Sequence, residues 1–490
     1  MAHFFITGST GQVGAFVAKE LLEKGHRLSL LVRGPKAQDR IQNVFNTIGV
    51  TSSNYEVWEG DLFSLPFPIN GIDCILHSAA ELSFDPSQKE KVWHTNFEGT
   101  KNILAWAHQS KIPSFHYVST AYIAGNYEGT YNEESLDFGQ TFRNEYEKSK
   151  LFTEKMCREF CQKQGINLAV YRPGIIMGTS SGKSLHYQGY YIFLKVLSEL
   201  YEKYHTKENP QENIYCMEGK LHLPIRIEAN AQGKKHLVFL DYVAKAISTI
   251  LLEARTTSQT LYLLPTHPPT NQQTLEWVEK ALGLCGLSLV SSLEGKTLNR
   301  LERLVHHYIH VYKNYLEKEP DFEYHKSVDT LSSLGVLCPS LDNACFERWI
   351  VYGKKDRWGR KEKEEKNKEI PLQNLYFQKF LPLFLDKPFL SGKVTCNFAV
   401  CLKEDSHGFW KLTLQQGILK ALESTKSQEG LDFWYTLSQE VFHEIIAGKL
   451  DPRYAFFSGK TDILGDMEHG LKVATVLREF FQKNPWQQPS

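Results

Sequence analysis

The sequence has no long apolar run, and we expect no leader segment. No apolar stretch reaches about 18 residues, the length that a helix needs to cross a bilayer. Met1 is followed directly by a strand-like segment, without the basic and apolar segments of a secretory signal. The last residues, Gln488-Pro489-Ser490, do not form a peroxisomal address. We therefore expect a cytoplasmic protein that neither spans a membrane nor is secreted.

An excess of charge and paired cysteines are also absent. Lysine plus arginine and aspartate plus glutamate number 56 each, so no net field favours nucleic acid or an anionic membrane. The nine cysteines are scattered, without a Cys-x-x-Cys pair, and are expected to be reduced thiols. His306 and His310 share one face of a predicted helix, but no third ligand or glutamate accompanies them. We expect neither a nucleic-acid partner nor a metal.

What the sequence does contain is a glycine-rich turn near its start. An apolar run at residues 3–7 leads into Gly8, Gly11 and Gly14, and residues 15–24 follow with a helical pattern. Glycine lets the backbone approach a pyrophosphate, which then lies at the unpaired N–H groups and the positive dipole end of the helix. The order strand, glycine turn, helix predicts a dinucleotide site. The alternative is a tight turn that binds nothing.

The second apolar run, residues 27–32, ends at Arg33. An NAD site usually carries a carboxylate there for the ribose 2′-OH, whereas a guanidinium suits a 2′-phosphate. Lys36 and Arg40 add positive charge nearby, so we predict NADPH as the cofactor; the alternative is a solvated cation at a strand end. Asp61 follows the third predicted strand, where its carboxylate could accept from the adenine amino group.

Strands predicted at residues 55–58, 72–76 and 115–118, with one long helix over 87–108, continue the alternation of strand and helix. This alternation is typical of an α/β fold with a doubly wound parallel sheet, which binds ligands at the carboxyl ends of its strands. A chain of 490 residues is too long for one core. We therefore expect two or three domains.

A candidate catalytic pair follows the fifth strand. Tyr146 and Lys150 are four residues apart in a predicted helix, hence on one face and about 6 Å apart along the axis. An ammonium near a phenol favours the phenolate, so Lys150 is expected to lower the pKa of Tyr146. A hydroxyl at the strand end, from Thr120 or Ser119, could hold a substrate carbonyl while Tyr146 passes it a proton. The alternative is an ordinary amphipathic helix.

These motifs together resemble the extended short-chain dehydrogenase/reductases over roughly residues 1–270. The stretches His77 to Phe84 and Val118 to Tyr122 are similar to the branch of thioester reductases and fatty acyl-CoA reductases. The resemblance implies a Rossmann-type sheet and a triad of Thr120, Tyr146 and Lys150, with Ser119 as the adjacent alternative. It also implies that the cofactor is bound by Gly8, Ser9, Thr10, Gly11, Gln12, Val13, Arg33, Asp61, Leu62, Ser78, Ala79, Ala80, Tyr146, Lys150, Pro173, Gly174, Ile175 and Ile176.

The substrate side of this first domain is expected mainly within residues 175–270. The aromatic-rich stretch 185–204, with His186, Tyr187, Tyr190, Tyr191 and Phe193, is predicted to be helical and to line an acyl channel, or else to be core. Residues 271–352 are predicted to form a helical extension. The charged segment 353–370 then alternates lysine and arginine with acidic residues, which is typical of a solvated helix or linker.

The remaining part, residues 371–490, is predicted to be a separate, smaller α/β domain. An alternating strand at 393–402 is predicted to have a hairpin partner at 408–414, and the predicted helix at 437–446 stops at Gly448. The segment from about 374 to 482 resembles the sterol carrier protein 2 family, which implies an apolar tunnel for an acyl or sterol ligand. After the last strand the chain departs from the family pattern with Asp466-Met467-Glu468-His469-Gly470. A packing or dimerisation module is the alternative.

Both halves fit an NADPH-dependent reductase of long-chain fatty acyl thioesters, carried by CoA or acyl carrier protein, that yields an aldehyde or an alcohol. Its lipid-binding domain would bind the acyl substrate or product. Such a protein is compatible with a peripheral membrane contact. One alternative is a sterol or lipid hydroxy dehydrogenase with the same triad. The other is a non-enzymatic lipid carrier whose first half only senses the nucleotide.

Overall fold

The computed structural model describes residues 1–66, 69, 71–206, 212–253, 258–317, 319–359, 376–390, 394–403, 409–425 and 427–486. The chain divides into two compact units, Met1–Lys361 and Glu362–Ser490. Several predicted features lie outside the described residues: most of the charged linker (360–370), Pro371, the strand starts at 393 and 408, and the last four residues. No helix in the described part of the chain has the length and apolarity to cross a bilayer.

The strands of the first unit are β1 His3–Thr7, β2 Arg27–Val32, β3 Tyr55–Glu59, β4 Cys74–His77, β5 Ser114–Val118, β6 Thr130–Tyr131, β7 Asn167–Pro173, β8 Ile175–Ile176, β9 Tyr215–Met217, β10 Lys220–Glu228, β11 Leu237–Val238, β12 Gln259–Leu263, β13 Leu284–Val290 and β14 Asp321–Phe322. Its helices are α1 Gln12–Glu23, α2 Ala37–Ile48, α3 Lys89–Trp93, α4 Gly99–Gln109, α5 Glu145–Gln164, α6 Tyr190–Tyr204, α7 Leu240–Leu252, α8 Asn271–Leu282, α9 Arg300–Ile309, α10 Asn314–Glu317, α11 His325–Ser333 and α12 Asn343–Lys355.

A seven-stranded parallel sheet of order β12-β7-β5-β4-β1-β2-β3 forms the centre of this unit. Successive side chains of β1 point to opposite faces: Phe4 and Ile6 pack with α1, α2 and α7, and Phe5 packs with α4 and α5. The order of the strands reverses between β1 and β4, which opens a crevice at their carboxyl ends. The predicted doubly wound α/β fold is confirmed.

The helix predicted over residues 87–108 is not one regular helix. Between α3 and α4 the backbone widens into a π-turn at His94–Glu98. Within this turn the buried side chain of Asn96 accepts from the N–H of Glu81 at 2.7 Å and donates to its carbonyl at 3.1 Å. The wide turn therefore lets Asn96 hold the chain that follows β4, a long-range contact that the local pattern does not contain.

The substrate side combines helices with a small sheet. Strand β10 pairs antiparallel with β9 and parallel with β13, and it packs with α9. Residues 271–352, expected to be a helical extension, thus include a strand, because Leu284, Leu287 and Leu289 cover the core beside β10. The predicted helix of 185–204 begins only at Tyr190, after Gly189 with a positive φ of 62°.

The described residues of the second unit form a sheet of order β17-β16-β15-β18-β19. Strands β15 and β18 pair in parallel, and the other neighbouring strands pair antiparallel. Its core is rich in aromatic side chains, among them a stacked pair of Phe398 and Phe433 with centroids 5.5 Å apart. The smaller α/β fold is confirmed. The elements are β15 Cys396–Leu402, β16 Phe409–Gln415, β17 Ile418–Thr425, β18 Phe433–Leu437, β19 Thr461–Gly465, α13 Gln439–Ile446, α14 Pro452–Phe457 and α15 Met467–Lys483.

Candidate active site

A cavity of about 900 Å³ lies in the first unit at the carboxyl ends of the central strands. Of the residues predicted for cofactor binding and catalysis, all but Ser9 line it, as does Ser119. Ser9 is fully buried instead, and its hydroxyl has no hydrogen-bond partner among the described residues. The fold therefore brings the strand-end motifs of the sequence into one cavity.

The glycine turn is shaped by close backbone contacts. Gly8 has a φ of 75°, and a Cβ there would lie 2.7 Å from the backbone nitrogen of Ala79. A Cβ on Gly14 would lie 2.4 Å from the carbonyl oxygen of Gly8. Within the described part of the chain no side chain caps the first N–H groups of α1, and its first turn carries no acidic residue. These groups line the cavity and fit the pyrophosphate of a dinucleotide.

Next to the turn lies a buried histidine, His77, for which no role of its own was predicted from the sequence. His77 is hydrogen-bonded through Nδ1 to Thr7 at 2.7 Å and through Nε2 to Thr100 at 2.8 Å. Burial lowers the pKa of His77 to about 3, so the ring is neutral at physiological pH. The hydroxyl of Thr7 also accepts from the N–H of Ala79. His77 therefore supports the ends of β1 and β4 without facing the cavity.

Two cations and one carboxylate border the cavity at the ends of β2 and β3. Arg33 is exposed, and Arg40 of α2 donates to its carbonyl oxygen. Asp61 Oδ1 accepts from the N–H groups of Phe63 at 2.8 Å and Ser64 at 3.0 Å. These bonds, led by that from Phe63, lower the pKa of Asp61. Asp61 thus organises its own turn, and its contact with an adenine stays a prediction.

The candidate catalytic tyrosine and threonine face each other. Asn144 caps α5 by accepting from the N–H of Glu147, which places Tyr146 in the first turn. Thr120 precedes the helical turn Ala121–Ala124, and its side chain lies close enough to the Tyr146 hydroxyl to favour the phenolate. The pKa of Tyr146 is raised, because burial and the charge of Glu147 disfavour the phenolate more than Thr120 favours it. The expectation of a lowered value was wrong.

Lys150 is hydrogen-bonded to the backbone at the end of β5. Its Nζ donates to the carbonyl of Val118 at 2.5 Å and lies 4.2 Å from the ring centre of Tyr117. Burial lowers the pKa of Lys150 to about 7, although Cys157 and Glu154 act in the opposite direction. The spacing of four residues predicted the shared helix face correctly. It could not predict that the ammonium turns towards the end of β5.

Ser119 and Thr120 differ clearly in their surroundings. Ser119 donates to Glu154 at 2.7 Å, and that carboxylate also accepts from Arg172 at 2.7 Å and Arg158 at 2.8 Å. Glu154 and Arg172 are completely buried. The hydroxyl of Ser119 is thus held by an ionic network, while Thr120 lies beside Tyr146. From the sequence alone, no role was predicted for Arg172 or Glu154.

Away from the glycine turn the cavity becomes apolar. Its wall there includes side chains from α6, α8, α9, β10 and β13, namely Tyr190, Phe193, Ile227, Leu275, Leu289 and Ile309. Of the aromatic stretch predicted to line a channel, His186, Tyr190 and Phe193 do so, whereas Tyr187 and Tyr191 pack in the core. Tyr191 also accepts from the N–H of Gly178 at 2.8 Å. The arrangement can hold a long apolar group beside Tyr146.

In the second unit the residues that depart from the family pattern begin a helix. Asp466 caps α15 by accepting from the N–H of His469 at 3.0 Å. Gly470 packs so closely that a Cβ would lie 2.6 Å from Ile463, and its carbonyl accepts from Tyr435 at 2.7 Å. This part of the helix is therefore fixed against the sheet.

Residues 6–247 match the family described as Male sterility protein, and residues 388–478 match the SCP-2 sterol transfer family. A putative dihydroflavonol 4-reductase of Synechocystis sp. is 31% identical over 177 residues, 36% of this chain and 49% of the relative. A 3-beta-hydroxysteroid dehydrogenase of Mycolicibacterium neoaurum is 25% identical over 185 residues, 36% and 48% of the two chains. The chain spans about half the length of these curated relatives.

Two solved structures share the fold at 19% identity. The terminal R domain from the myxalamid PKS-NRPS biosynthetic pathway has a TM-score of 0.59, covering 73% of this chain and 92% of its own. A thiolation-reductase di-domain from an archaeal non-ribosomal peptide synthetase has a TM-score of 0.58, with 73% and 76% covered. The chain thus joins a domain that matches the Male sterility protein family to a domain that matches the SCP-2 sterol transfer family.

Proposed function

We propose that the protein is an NADPH-dependent reductase of long-chain fatty acyl thioesters, carried by CoA or acyl carrier protein, and that its second domain binds the acyl lipid. One observation carries the proposal. The cavity that contains Thr120, Tyr146 and Lys150 joins the glycine turn to a wall of apolar side chains. Such a cavity suits a cofactor at one side, an apolar chain at the other and a carbonyl group between them.

The roles of the residues follow from their contacts. Tyr146, protonated because burial raises its pKa, donates to the carbonyl oxygen together with Thr120, and the two hydroxyls stabilise the negative charge that develops there. When bound, NADPH supplies the hydride for the carbonyl carbon. The carbon–oxygen double bond then re-forms as the carbon–sulfur bond breaks. The thiol leaves with a proton from solvent, and an aldehyde remains; a second reduction would give the alcohol.

The apolar wall accounts for a long acyl chain. Each buried methylene contributes about 0.8 kcal/mol, so a chain of many methylenes is held mainly by side chains such as Phe193, Ile227 and Leu289. The fold relatives support the same proposal, since one is a terminal R domain of a PKS-NRPS pathway and the other is a thiolation-reductase di-domain. The hydroxysteroid dehydrogenase among the curated relatives favours a second candidate, a sterol or lipid hydroxy dehydrogenase with the same triad.

One experiment separates the candidates. NADPH absorbance is followed with palmitoyl-CoA and then with a ketosteroid, and the products are identified by mass spectrometry. We expect the thioester to be turned over. Turnover of the steroid alone would replace the proposal with the dehydrogenase. Turnover of neither, with NADPH bound, would favour a lipid carrier that senses the nucleotide.

Arg33→Ala should raise the dissociation constant for NADPH roughly 10- to 150-fold and leave that for NADH nearly unchanged. The reason is that a charged hydrogen bond to a phosphate contributes about 1.5–3 kcal/mol, and only NADPH has the 2′-phosphate. Cofactor fluorescence titration measures both constants. Arg27→Ala, at the opposite end of β2, is the matched control. Equal weakening of both cofactors would show that Arg33 does not read the phosphate.

A truncated protein that consists of residues 1–361 should reduce short acyl thioesters at the wild-type rate and lose activity selectively on palmitoyl-CoA. Only a long chain needs an apolar shelter in transit, and a tethered carrier raises its local concentration. The cut must follow residue 358, because the Trp358 ring packs against Gly353 and lies 5.6 Å from Tyr187. Butyryl-CoA is the internal control. Equal loss at both chain lengths would mean that the second unit is required for the first to work at all.

A further inference from the structure

A buried carboxylate outside the predicted site joins two chain segments that border the cavity. Glu319 is 1% exposed at its side chain. Its Oε1 accepts from Lys235 at 2.9 Å and from the hydroxyl of Tyr122 at 3.1 Å, and its Oε2 is bonded to His236 Nδ1 at 2.6 Å. Burial alone would raise the pKa of Glu319, but Lys235 and His236 lower it to about 2. The group is therefore a fixed negative charge.

The first segment leads from Glu319 to the catalytic hydroxyl. Tyr122 is 5% exposed and lines the cavity. Its backbone N–H donates to Thr120 Oγ1 at 3.3 Å. This bond occupies one side of the hydroxyl oxygen, which leaves the O–H free to point towards Tyr146 and a substrate. The bond from Tyr122 to Glu319 thus fixes the turn that sets the orientation of Thr120.

The second segment connects Glu319, through Lys235, to the aromatic side chains that line the cavity beside Tyr146. Lys235 also donates to the carbonyl of Tyr315. The ring of Tyr315 lies 5.3 Å from that of Tyr122 and 5.6 Å from that of Phe84, and Phe84 lies 5.7 Å from Tyr146. Tyr315 and Phe84 both line the cavity. One carboxylate therefore holds both the turn after Thr120 and the aromatic wall beside Tyr146.

We propose that Glu319 is a positioning residue of the active site, which orients Thr120 through Tyr122 and fixes the aromatic wall through Lys235. The inference rests on the proposed function insofar as Thr120 and Tyr146 act on a carbonyl group, whichever carbonyl compound that is. A shift of about 1 Å in a catalytic group can cost roughly 100-fold in rate. A contact two residues away from Thr120 can therefore control turnover without touching the substrate.

Tyr122→Phe is the sharpest test, because it removes one hydroxyl and keeps the ring in the wall. We expect kcat to fall by about tenfold or more, with the KM for NADPH and the melting temperature unchanged. Tyr324→Phe is the matched control, since its hydroxyl donates to the carbonyl of Pro265 at 2.7 Å away from the cavity. Glu319→Gln should lower kcat at least as far. An unchanged kcat in Tyr122→Phe, or a loss matched by weaker NADPH binding, would overturn the inference.

A second measurement does not depend on turnover. It therefore distinguishes a failure of the positioning role from a failure of the proposed function. Hydrogen–deuterium exchange is compared in the full-length proteins without substrate. Tyr122→Phe should speed exchange in residues 119–125, and Glu319→Gln should do so there and in residues 312–317. Exchange as slow as in the wild type in both segments would refute the positioning role even if the substrate proves to be a steroid. Faster exchange across the whole first unit would also refute it, because it would indicate a general loss of stability.

Discussion

Tyr146→Phe should lower kcat by about 10²- to 10⁴-fold and leave the binding of NADPH close to that of the wild type. The variant keeps the ring, which packs against Phe84, and removes only the hydroxyl, which lies beside Thr120. Since burial raises the pKa of this hydroxyl, it remains protonated at neutral pH and donates to the carbonyl oxygen. Its loss leaves the developing negative charge with one donor fewer. Single-turnover decay of NADPH absorbance measures the effect.

The control for this variant is Tyr55→Phe. In the wild type the hydroxyl of Tyr55 donates to Gln42 at 3.0 Å on the exposed side of β3. The substitution therefore removes an equivalent hydroxyl group that lies outside the cavity. We expect wild-type kinetics from it. A fall in kcat of less than about tenfold in Tyr146→Phe, with NADPH still bound, would contradict a direct role in proton donation. A parallel loss of NADPH binding would place Tyr146 in the cofactor site alone.

The features that the sequence predicted are those with a local cause. Gly8 and its neighbours need a turn that only glycine can make, and the apolar runs before and after it match β1 and β2 almost residue for residue. The pair Tyr146 and Lys150 follows from helical spacing. Because parallel strands end at one edge of the sheet, the motifs at those ends were bound to meet.

The features that the sequence did not predict depend on contacts between distant residues. Glu319 meets Lys235 across 84 positions of the chain, and neither belongs to a motif or to a helical pair. The direction of the pKa shift of Tyr146 depends on how deeply the folded chain buries it. The aromatic stretch after residue 185 has the same composition at cavity and core positions, so only packing decides that Phe193 lines the cavity and Tyr191 does not.

Glu154→Gln should lower the free energy of unfolding of the first unit by about 3–5 kcal/mol. The glutamine cannot neutralise Arg172, whose side chain is completely buried and lies 2.7 Å from Glu154 Oε1, so a charge is left without a counterion. Lys101→Met, which breaks a pair with Glu98 at 3.7 Å on the surface, is the control and should cost less than about 1 kcal/mol. Hydrogen exchange of the β5 and β7 amides in increasing urea measures the free energy of unfolding of the first unit separately from that of the second.

Replacing both charges separates stability from positioning. The double variant Glu154→Met with Arg172→Met removes the uncompensated charge, so it should regain part of the stability that Glu154→Gln loses. It should not regain kcat, because Ser119 donates to Glu154 at 2.7 Å and that bond fixes the chain immediately before Thr120. A double variant as unstable as Glu154→Gln would mean that the network is held by the backbone carbonyls around Arg172. A double variant with full activity would show that Thr120 is positioned by Tyr122 alone.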